Sequence, residues 1–595
     1  MDEFAFQAEG LVKRFGKITA LAGVDLHARP GTVLSVLGPN GAGKTTAIRI
    51  LATLTSFDEG TVRVGGLDVI RDAARVRRLI GLTGQYATLD EELTGLGNLV
   101  LIGRLLDLRK PDAVQRAKEL LEQFGLSDAA HKPVAAYSGG MRRRLDLAAS
   151  LVGRPRLLFL DEPSVGLDPG RREELWWIIR KLTTDGASVL LTTQYLEEAD
   201  ALADEITVID KGRVVAHGTP PELKQRVGSQ SIAARPRDPE RTEDAVHVLA
   251  TVSGHAVEQA NRHELVVPVD NDRAVFDVAR RFEEQDITLA EFSLRLPSLE
   301  EVFFALTGAP CNAPDTDHRQ HQKEPGMTDT TPPATFRSTH RRPFALLRHS
   351  LILAGRSLTK SARNPGVLIN GVVTPTIFLL IFVYLFGASV AVSTDDYLHY
   401  LFPGIVVMGA GLSGMLSSGL SINIDMKKGV FDRFRSLPIG RSTPLLGSIL
   451  ADIIHYIVAI ALLFGIGYLM GFRVQTDPGS AIAAVALVLG FGFCLSWITV
   501  FLGVLVHDEG AVMSFAFIVF IPLMLGTSLA APVDTLPGWL QAWANINPVT
   551  HAMDASRALL SDTPADDSIA QTIIWSAIIL IVACPLAIAA YSRRR

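Results

Sequence analysis

Two different apolar patterns divide this chain. Up to about Val227, short apolar runs such as TVLSVLG, RLLFLDE and ASVLLTT alternate with helical segments and end in polar residues or glycine. Runs of this length, apolar on both faces, predict buried parallel strands of an α/β sheet. From Gly228 to about Gly308 the elements are smaller. SIAARP, ELVVPV and LAEFSLRL predict strands, and residues 240–251 and 272–284 predict helices. That order describes a small α+β module of ferredoxin-like type, closed by the amphipathic stretch LPSLEEVFFALTG. Residues 309–342 are rich in Pro, Asp, Thr, His and Gln and have no apolar pattern, which predicts a flexible linker.

Residues 343–595 read as an all-α, six-helix transmembrane domain. FALLRHSLILAGRSLTKSAR, Phe344–Arg363, mixes leucine and isoleucine with basic residues at helical spacing. A soluble helix can carry this pattern too, but its place just before a span favours a helix lying on the membrane surface. Six apolar segments follow, near 367–387, 400–420, 445–469, 480–506, 510–530 and 571–591. Each approaches the roughly 20 residues a bilayer crossing needs.

Charge orients these spans. Lys427, Lys428, Arg433, Arg435 and Arg441 lie between the second and third, and Arg593, Arg594 and Arg595 follow the last. The opposite side offers only Arg473 and Arg557. The positive-inside rule then puts both ends of the chain on the cytoplasmic side. The basic loop Lys427–Ser442 is expected to pass movement of the first half to the spans, to bind lipid headgroups, or both, with the helix at 344–363 the other candidate for transmission. Residues 531–570 contain GWLQAWANINP, whose Trp539 and Trp543 suit a membrane interface, and read as an outer re-entrant segment covering the exit. Asp452 and His455 share a face of the third span, either as a proton or substrate contact or as a mutual hydrogen bond.

Composition narrows the function. The 595 residues exceed a single core, and a net charge of −5 argues against nucleic-acid binding through global positive charge. Cys311, Cys494 and Cys584 form no spacing motif and read as inert thiols. The opening MDEFAFQAEG is acidic and lacks the apolar region of a secretory signal, so the first half is expected in the cytoplasm.

Three stretches carry chemistry. Gly38, Pro39, Asn40, Gly41, Ala42, Gly43, Lys44, Thr45 and Thr46 fit G-x-x-x-x-G-K-[ST] between an apolar strand and a helix. The glycines let backbone N–H groups close on phosphate oxygens, with the helix N-terminus adding its positive dipole. Lys44 is expected to reach the β- and γ-phosphates of ATP, and Thr45 to ligate Mg²⁺. LLFLDEP ends a strand on Asp161, a second ligand for the metal, followed by Glu162, which can orient the attacking water. In YSGGMRRRLDLA, Ser138, Gly139 and Gly140 open a helical pattern and make a second anion site.

With YSGGM in the place of LSGGQ, the chain resembles the ATP-binding cassette (ABC) family. The first half resembles the ATP-binding subunits of daunorubicin/doxorubicin-resistance-type exporters and the second half their type-2 permeases, so that the resemblance covers nearly the whole chain apart from the linker. The resemblance implies a bacterial cytoplasmic (inner) membrane and further roles. Phe15 stacks on adenine, a phenylalanine in place of the usual tyrosine. Gln85 is the Q-loop glutamine, touching Mg²⁺ and sensing the membrane domain. Asp168 belongs to the D-loop that reaches across a dimer. Gln194 stands where most of the family has a histidine against the γ-phosphate; an amide can donate there but cannot carry charge. Met327, in EPGMTDTTPPATF, sits where a separate permease chain begins, which reads as a natural or engineered join of two polypeptides or as an ordinary linker methionine.

One phosphate loop and one signature per chain require a second copy, so the expectation is a homodimer with two sandwiched ATP molecules. The expected cargo is a hydrophobic or amphiphilic small molecule or lipid, exported across the bilayer as in multidrug efflux. The alternatives are a dedicated exporter of an envelope lipid or glycolipid, and an ATP-driven membrane sensor that transports nothing.

Overall fold

Backbone pairing sorts the apolar runs into sheets. In chain order the strands are β1 (Phe6–Phe15), β2 (Ile18–Ala28), β3 (Val33–Leu37), β4 (Glu59–Val64), β5 (Leu67–Asp68), β6 (Ile80–Thr83), β7 (Leu157–Asp161), β8 (Ser188–Thr193), β9 (Glu205–Asp210) and β10 (Arg213–Gly218). β3, β7 and β8 are buried at every position, as strands covered on both faces must be. They form the centre of a six-stranded sheet of order β10-β9-β3-β8-β7-β6, parallel except for the edge strand β10. A four-stranded antiparallel sheet, β2-β1-β4-β5, stands beside it. Phe6, Leu26 and Val62 share one core with Val36, Ile48, Phe159 and Leu190.

The computed structural model describes residues 4–303 and 344–593, apart from Tyr86 and residues 228–229, 239–240, 262–263, 270–272, 296–298, 301, 364–365, 387–393, 507, 562 and 564–566. The linker and Met327 lie outside the described residues. Those described within Met1–Ala87 and Gly153–Arg337 form one unit, and those within Thr88–Val152 and Ser338–Arg595 a second.

The first unit also holds the small module. Its strands β11 (Gln230–Pro236), β12 (Glu258–Asn261), β13 (Glu264–Val269) and β14 (Leu289–Arg295) pair in the order β12-β13-β11-β14, with helices Thr242–Ser253 and Arg273–Glu284 in the connections. This is the β-α-β-β-α-β arrangement of a ferredoxin-like unit. β12 has the sequence EQAN; it carries no apolar alternation and was missed in the sequence reading. Of the stretch LPSLEEVFFALTG, the described Leu299, Val302 and Phe303 are buried in a cluster with Leu37, Ile206 and Leu223 of the larger fold.

In the second unit, Thr88–Val152 supplies the helices Gly95–Leu105, Lys110–Gln123 and Gly139–Ser150. The surface helix, Ala345–Arg363, buries His349, Ser350, Leu353, Ala354 and Arg356 and exposes Leu346, Leu347 and Leu351. It turns three leucines outward and Arg356 inward, an arrangement a lipid surface accepts. The six expected spans correspond to helices Gly366–Ile381, Thr394–Lys427, Thr443–Met470, Pro478–Leu505, Glu509–Leu525 and Ser568–Arg593. By length and composition, the third and fourth of these and Ser568–Ser592 are long and apolar enough to cross a membrane. The fifth stops at Leu525, short of the expected 530, because Asn547 donates its amide to the carbonyls of Leu523 (2.8 Å) and Gly526 (3.1 Å) and closes the helix end. Beyond it, Pro548–Ser561 packs Val549, Ala552 and Met553 into the core that contains Leu401 and Phe402.

The second and fourth spans meet backbone to backbone. A Cβ on Gly503 would stand 2.1 Å from the carbonyl oxygen of Gly419, and one on Gly419 would stand 2.5 Å from that of Thr499. Small residues at helix crossings allow such approach in a bilayer. Asn423 spans the same seam, donating to the carbonyls of Gly503 (3.0 Å) and Val506 (2.7 Å). Gly503→Ala should therefore lower stability by about 1–3 kcal/mol, read as a fall in Tm of the detergent-solubilised protein. An unchanged Tm would show that these backbones do not touch.

Candidate functional site

The phosphate loop is shaped before any ligand arrives. It leaves β3 at Leu37, where Gly38 passes so close to the neighbouring chain that a Cβ would meet the carbonyl oxygen of Ile209 at 2.2 Å. Gly43 has φ +108°, and a side chain there would also strike Ala20. The loop is braced by Ala42, whose N–H donates to Pro39 (3.2 Å) and whose carbonyl accepts from Gly212 (3.0 Å). Lys44 opens the following helix, Lys44–Leu51. Its buried ammonium donates to the carbonyls of Gly38 (2.7 Å) and Pro39 (3.1 Å) and lies 3.4 Å from a Glu162 carboxylate oxygen.

The register of β7 and β8 builds the acidic half. Asp161 pairs with Thr192, and the Thr192 hydroxyl donates to Asp161 Oδ1 at 2.6 Å. The same oxygen lies 3.1 Å from Thr45 Oγ1. Neighbouring ligands of an octahedral Mg²⁺ stand roughly 2.9 Å apart, so this pair of hard oxygens fits that ion. Glu162 then turns sharply, with φ +48°, a conformation that costs a non-glycine residue about 1–3 kcal/mol. Its N–H donates to the Thr192 carbonyl at 3.0 Å, which holds the turn. Gln85 Nε2 approaches the Glu162 carboxylate at 3.4 Å. Lys44, Thr45, Gln85, Asp161 and Glu162 are thus assembled within one unit. Thr192, the hub between Asp161 and Glu162, was missed in the sequence reading.

The remaining predicted residues sit on the periphery of this cluster or outside it. Phe15 is 43% exposed, with the Lys13 ammonium 5.2 Å from its ring centre. Gln194 is half-buried just past the end of β8. Asp168 caps the helix Pro169–Thr184, accepting from the Arg171 N–H at 3.0 Å. Ser138, Gly139 and Gly140 belong to the second unit. There Ser138 caps the helix Gly139–Ser150 through Met141, and nothing lies within 4 Å of where a Cβ on Gly139 would be.

Glu198, also missed from sequence, is fully buried on the helix Leu196–Leu202 that follows Gln194. Trp176 Nε1 donates to it at 3.3 Å. Burial pushes its carboxyl up, against the pull of the polar groups around it.

The second unit holds a buried charge network. Arg356 of the surface helix donates Nε to Asp90 at 2.5 Å and Nη1 to Asp425 at 2.8 Å, and Lys360 donates to Asp425 at 2.8 Å. Arg356, Asp90 and Asp425 are each buried. Burial alone would lower the arginine pKa; the carboxylates of Asp425 and Asp90 overcome it and hold the group well above its ordinary value. The guanidinium also lies 5.4 Å from the ring centre of Phe434, in the helix Val430–Ser436 within the predicted basic loop. That loop makes further ties to Thr88–Val152. Lys428 pairs with Glu91 at 3.0 Å, and Arg433 donates to the Asp146 carbonyl at 3.5 Å. Asp107 joins Arg348 and accepts from His349 at 2.8 Å.

Within the spans, His455 Nδ1 and Asp452 Oδ1 are 3.4 Å apart, and Ser418 donates to Asp452. The pair makes the mutual contact expected of residues at that spacing.

Comparison with known proteins follows this division. Residues 21–165 match the family "ABC transporter", and residues 349–560 match "ABC-2 type transporter". A daunorubicin resistance ATP-binding protein of Streptomyces coeruleorubidus is 50% identical over 310 residues, covering 52% of this chain and 96% of the relative. A daunorubicin/doxorubicin resistance ATP-binding protein of Streptomyces peucetius is 46% identical, covering 54% of this chain and 97% of its own. A Nod factor export ATP-binding protein of Ralstonia nicotianae is 37% identical, covering 50% and 92%. A solved structure described as the ATP binding subunit of an ABC transporter is 26% identical with a TM-score of 0.35, covering 37% of this chain and 92% of that one.

The raised Glu198 carboxyl has a consequence for stability. Its protonated form is favoured by the fold, so wild-type stability is fully present below the unfolded pKa near 4.5 and falls as pH rises through the folded value. Glu198→Gln keeps the acceptor and cannot ionise. Its Tm should gain on wild type as pH rises above about 4.5; a constant difference would show that burial does not penalise this carboxylate.

Proposed function

This chain belongs to the ABC transporter family, with its ATPase and its ABC-2 type membrane domain in one polypeptide, and from that premise we propose that it is an ATP-driven exporter of hydrophobic or amphiphilic compounds, working as a homodimer. The ATPase domain binds ATP, and hydrolysis is coupled to transport. The proposal assigns each residue a role. The phosphate loop and Lys44 receive the β- and γ-phosphates. Thr45 and Asp161 hold Mg²⁺, which when bound neutralises charge on those phosphates. Glu162 polarises the attacking water, and Gln85 steadies it. Phe15 supports the adenine, and Gln194 donates to the γ-phosphate. Ser138, Gly139 and Gly140 of the second copy close over the nucleotide, with Asp168 reaching across the pair.

The observation that carries the coupling is the burial of Arg356 between Asp90 and Asp425. The chain runs from Gln85 to Asp90 in a few residues, so a change at the nucleotide reaches Asp90 through a short length of backbone. Asp425 ends the second span, and Arg356 joins the two. Removing one partner of a buried pair costs about 3–5 kcal/mol, which makes the network a stiff link.

The absence of charge over most of the predicted mid-membrane positions supports a lipophilic cargo. The resistance relatives carry drug names, which favours multidrug efflux over a single envelope lipid. The basic residues at 427–441 support an arrangement with both ends of the chain in the cytoplasm and the spans in the inner membrane.

Proteoliposomes test this reading. ATP-dependent movement of a fluorescent amphiphile should be present with wild type, and its absence across a broad set of amphiphiles with ATPase retained would establish the sensor instead. Glu162→Gln should bind ATP normally and lose roughly 10²–10⁴-fold in hydrolysis; wild-type turnover in that variant overturns the role given to Glu162. Asp425→Asn should depress transport more than ATPase activity, and equal losses in both would remove the transmission role of the network.

A further inference from the structure

We propose that His27, Glu205 and His217 form a binding site for one divalent ion of the zinc class, separate from the nucleotide site. The ligand atoms of the three side chains lie within 4.8 Å of one another, and His217 Nε2 is 3.8 Å from Glu205 Oε2. The strands dictate this meeting. His217 on β10 pairs with Thr207 on β9, and Glu205 lies two residues before Thr207. Side chains two apart share a face, so Glu205 is the diagonal neighbour of His217. His27 enters from β2, its ring centre 5.1 Å from that of His217.

Two features prepare the imidazoles as ligands. His217 Nδ1 lies 2.9 Å from the Thr207 hydroxyl, so an Nδ1–H donated there leaves the Nε2 lone pair facing Glu205. Fixing one ring nitrogen by a hydrogen bond so that the other binds metal is the usual outer support of a metal-ligating histidine. The His27 ring is held by Phe4, edge to face at 5.1 Å. All three residues are half-buried, so an ion can enter from solvent while its ligands stay ordered.

The donor set selects the ion. Two imidazoles and one carboxylate suit Zn²⁺, with water as a fourth ligand, whereas Mg²⁺ and Ca²⁺ prefer oxygen alone. Ligand atoms around tetrahedral zinc stand roughly 3.3 Å apart, so side-chain rotations close the present spacing. The site lies away from the phosphate loop. Glu205 is in register with Leu34, three residues before the end of β3, about 10 Å from the loop at ~3.3 Å per residue. A bound ion would tie β2, in the four-stranded sheet, to the β9–β10 edge of the six-stranded one. Its role is therefore a clamp on the nucleotide-binding fold, outside the reaction itself.

The test uses the full chain, purified without a histidine tag, stripped with EDTA and titrated with Zn²⁺, Co²⁺ or Mg²⁺. One Zn²⁺ per chain should survive gel filtration, Tm should rise by several degrees with Zn²⁺ but not Mg²⁺, and Co²⁺ should give the visible bands of a tetrahedral site. His27→Gln, Glu205→Gln and His217→Gln should each weaken zinc affinity at least tenfold and abolish the Co²⁺ spectrum, with binding of a fluorescent ATP analogue retained. Zinc stoichiometry equal in wild type and the triple variant overturns the site. So does a Tm loss in the variants that is the same in EDTA as in zinc, which would mean the histidines only pack.

Discussion

A guanidinium keeps its charge at any pH a cell meets, so a fold that buries one must bring carboxylates to it. Arg356 imposes that constraint on the helical unit. It draws Asp90 from the stretch after the Q-loop and Asp425 from the end of the second span, and Lys360 balances the second acid. Three segments far apart in sequence are fixed at one point. Replacing the cluster by apolar side chains would hold the segments together without directing them, because apolar contact has no preferred angle. The fork of the arginine, one arm to each acid, gives the junction a defined geometry. The helix that carries Arg356 leaves Leu346, Leu347 and Leu351 exposed on its other side.

The nucleotide site follows the same logic with smaller parts. Lys44, Asp161 and Glu162 are all buried, and each is answered by an opposite charge, a hydroxyl or a carbonyl. Burial strengthens the interactions among them and makes any unpaired member costly. Thr192 keeps the acids apart in function: its hydroxyl serves Asp161 and its carbonyl anchors the turn at Glu162.

Much of this was legible in the sequence because phosphate chemistry demands contiguous residues. A loop that wraps an anion needs its glycines and its lysine in one stretch, and a strand that presents a carboxylate needs its apolar run just before it. Thr192 was not legible, since its place beside Asp161 comes from strand register. Glu198 is one of two adjacent acids with no motif to single it out, and only the fold shows that it is buried. Arg356 was hidden for a different reason: on an amphipathic helix a basic residue reads as a solvent-facing one, and its partners lie 266 and 69 residues away. β12 escaped because EQAN, at the edge of a small sheet, has no core face to betray it.

The glycine seam between the second and fourth spans has one more consequence. Helices separated by side chains can shear, since side chains swap rotamers as they slide. Where glycine backbone approaches the facing backbone too closely for any Cβ, at Gly419 and Gly503, there is no such lubricating layer. The two spans are held as a single unit, and any opening between the membrane helices must part along a different joint.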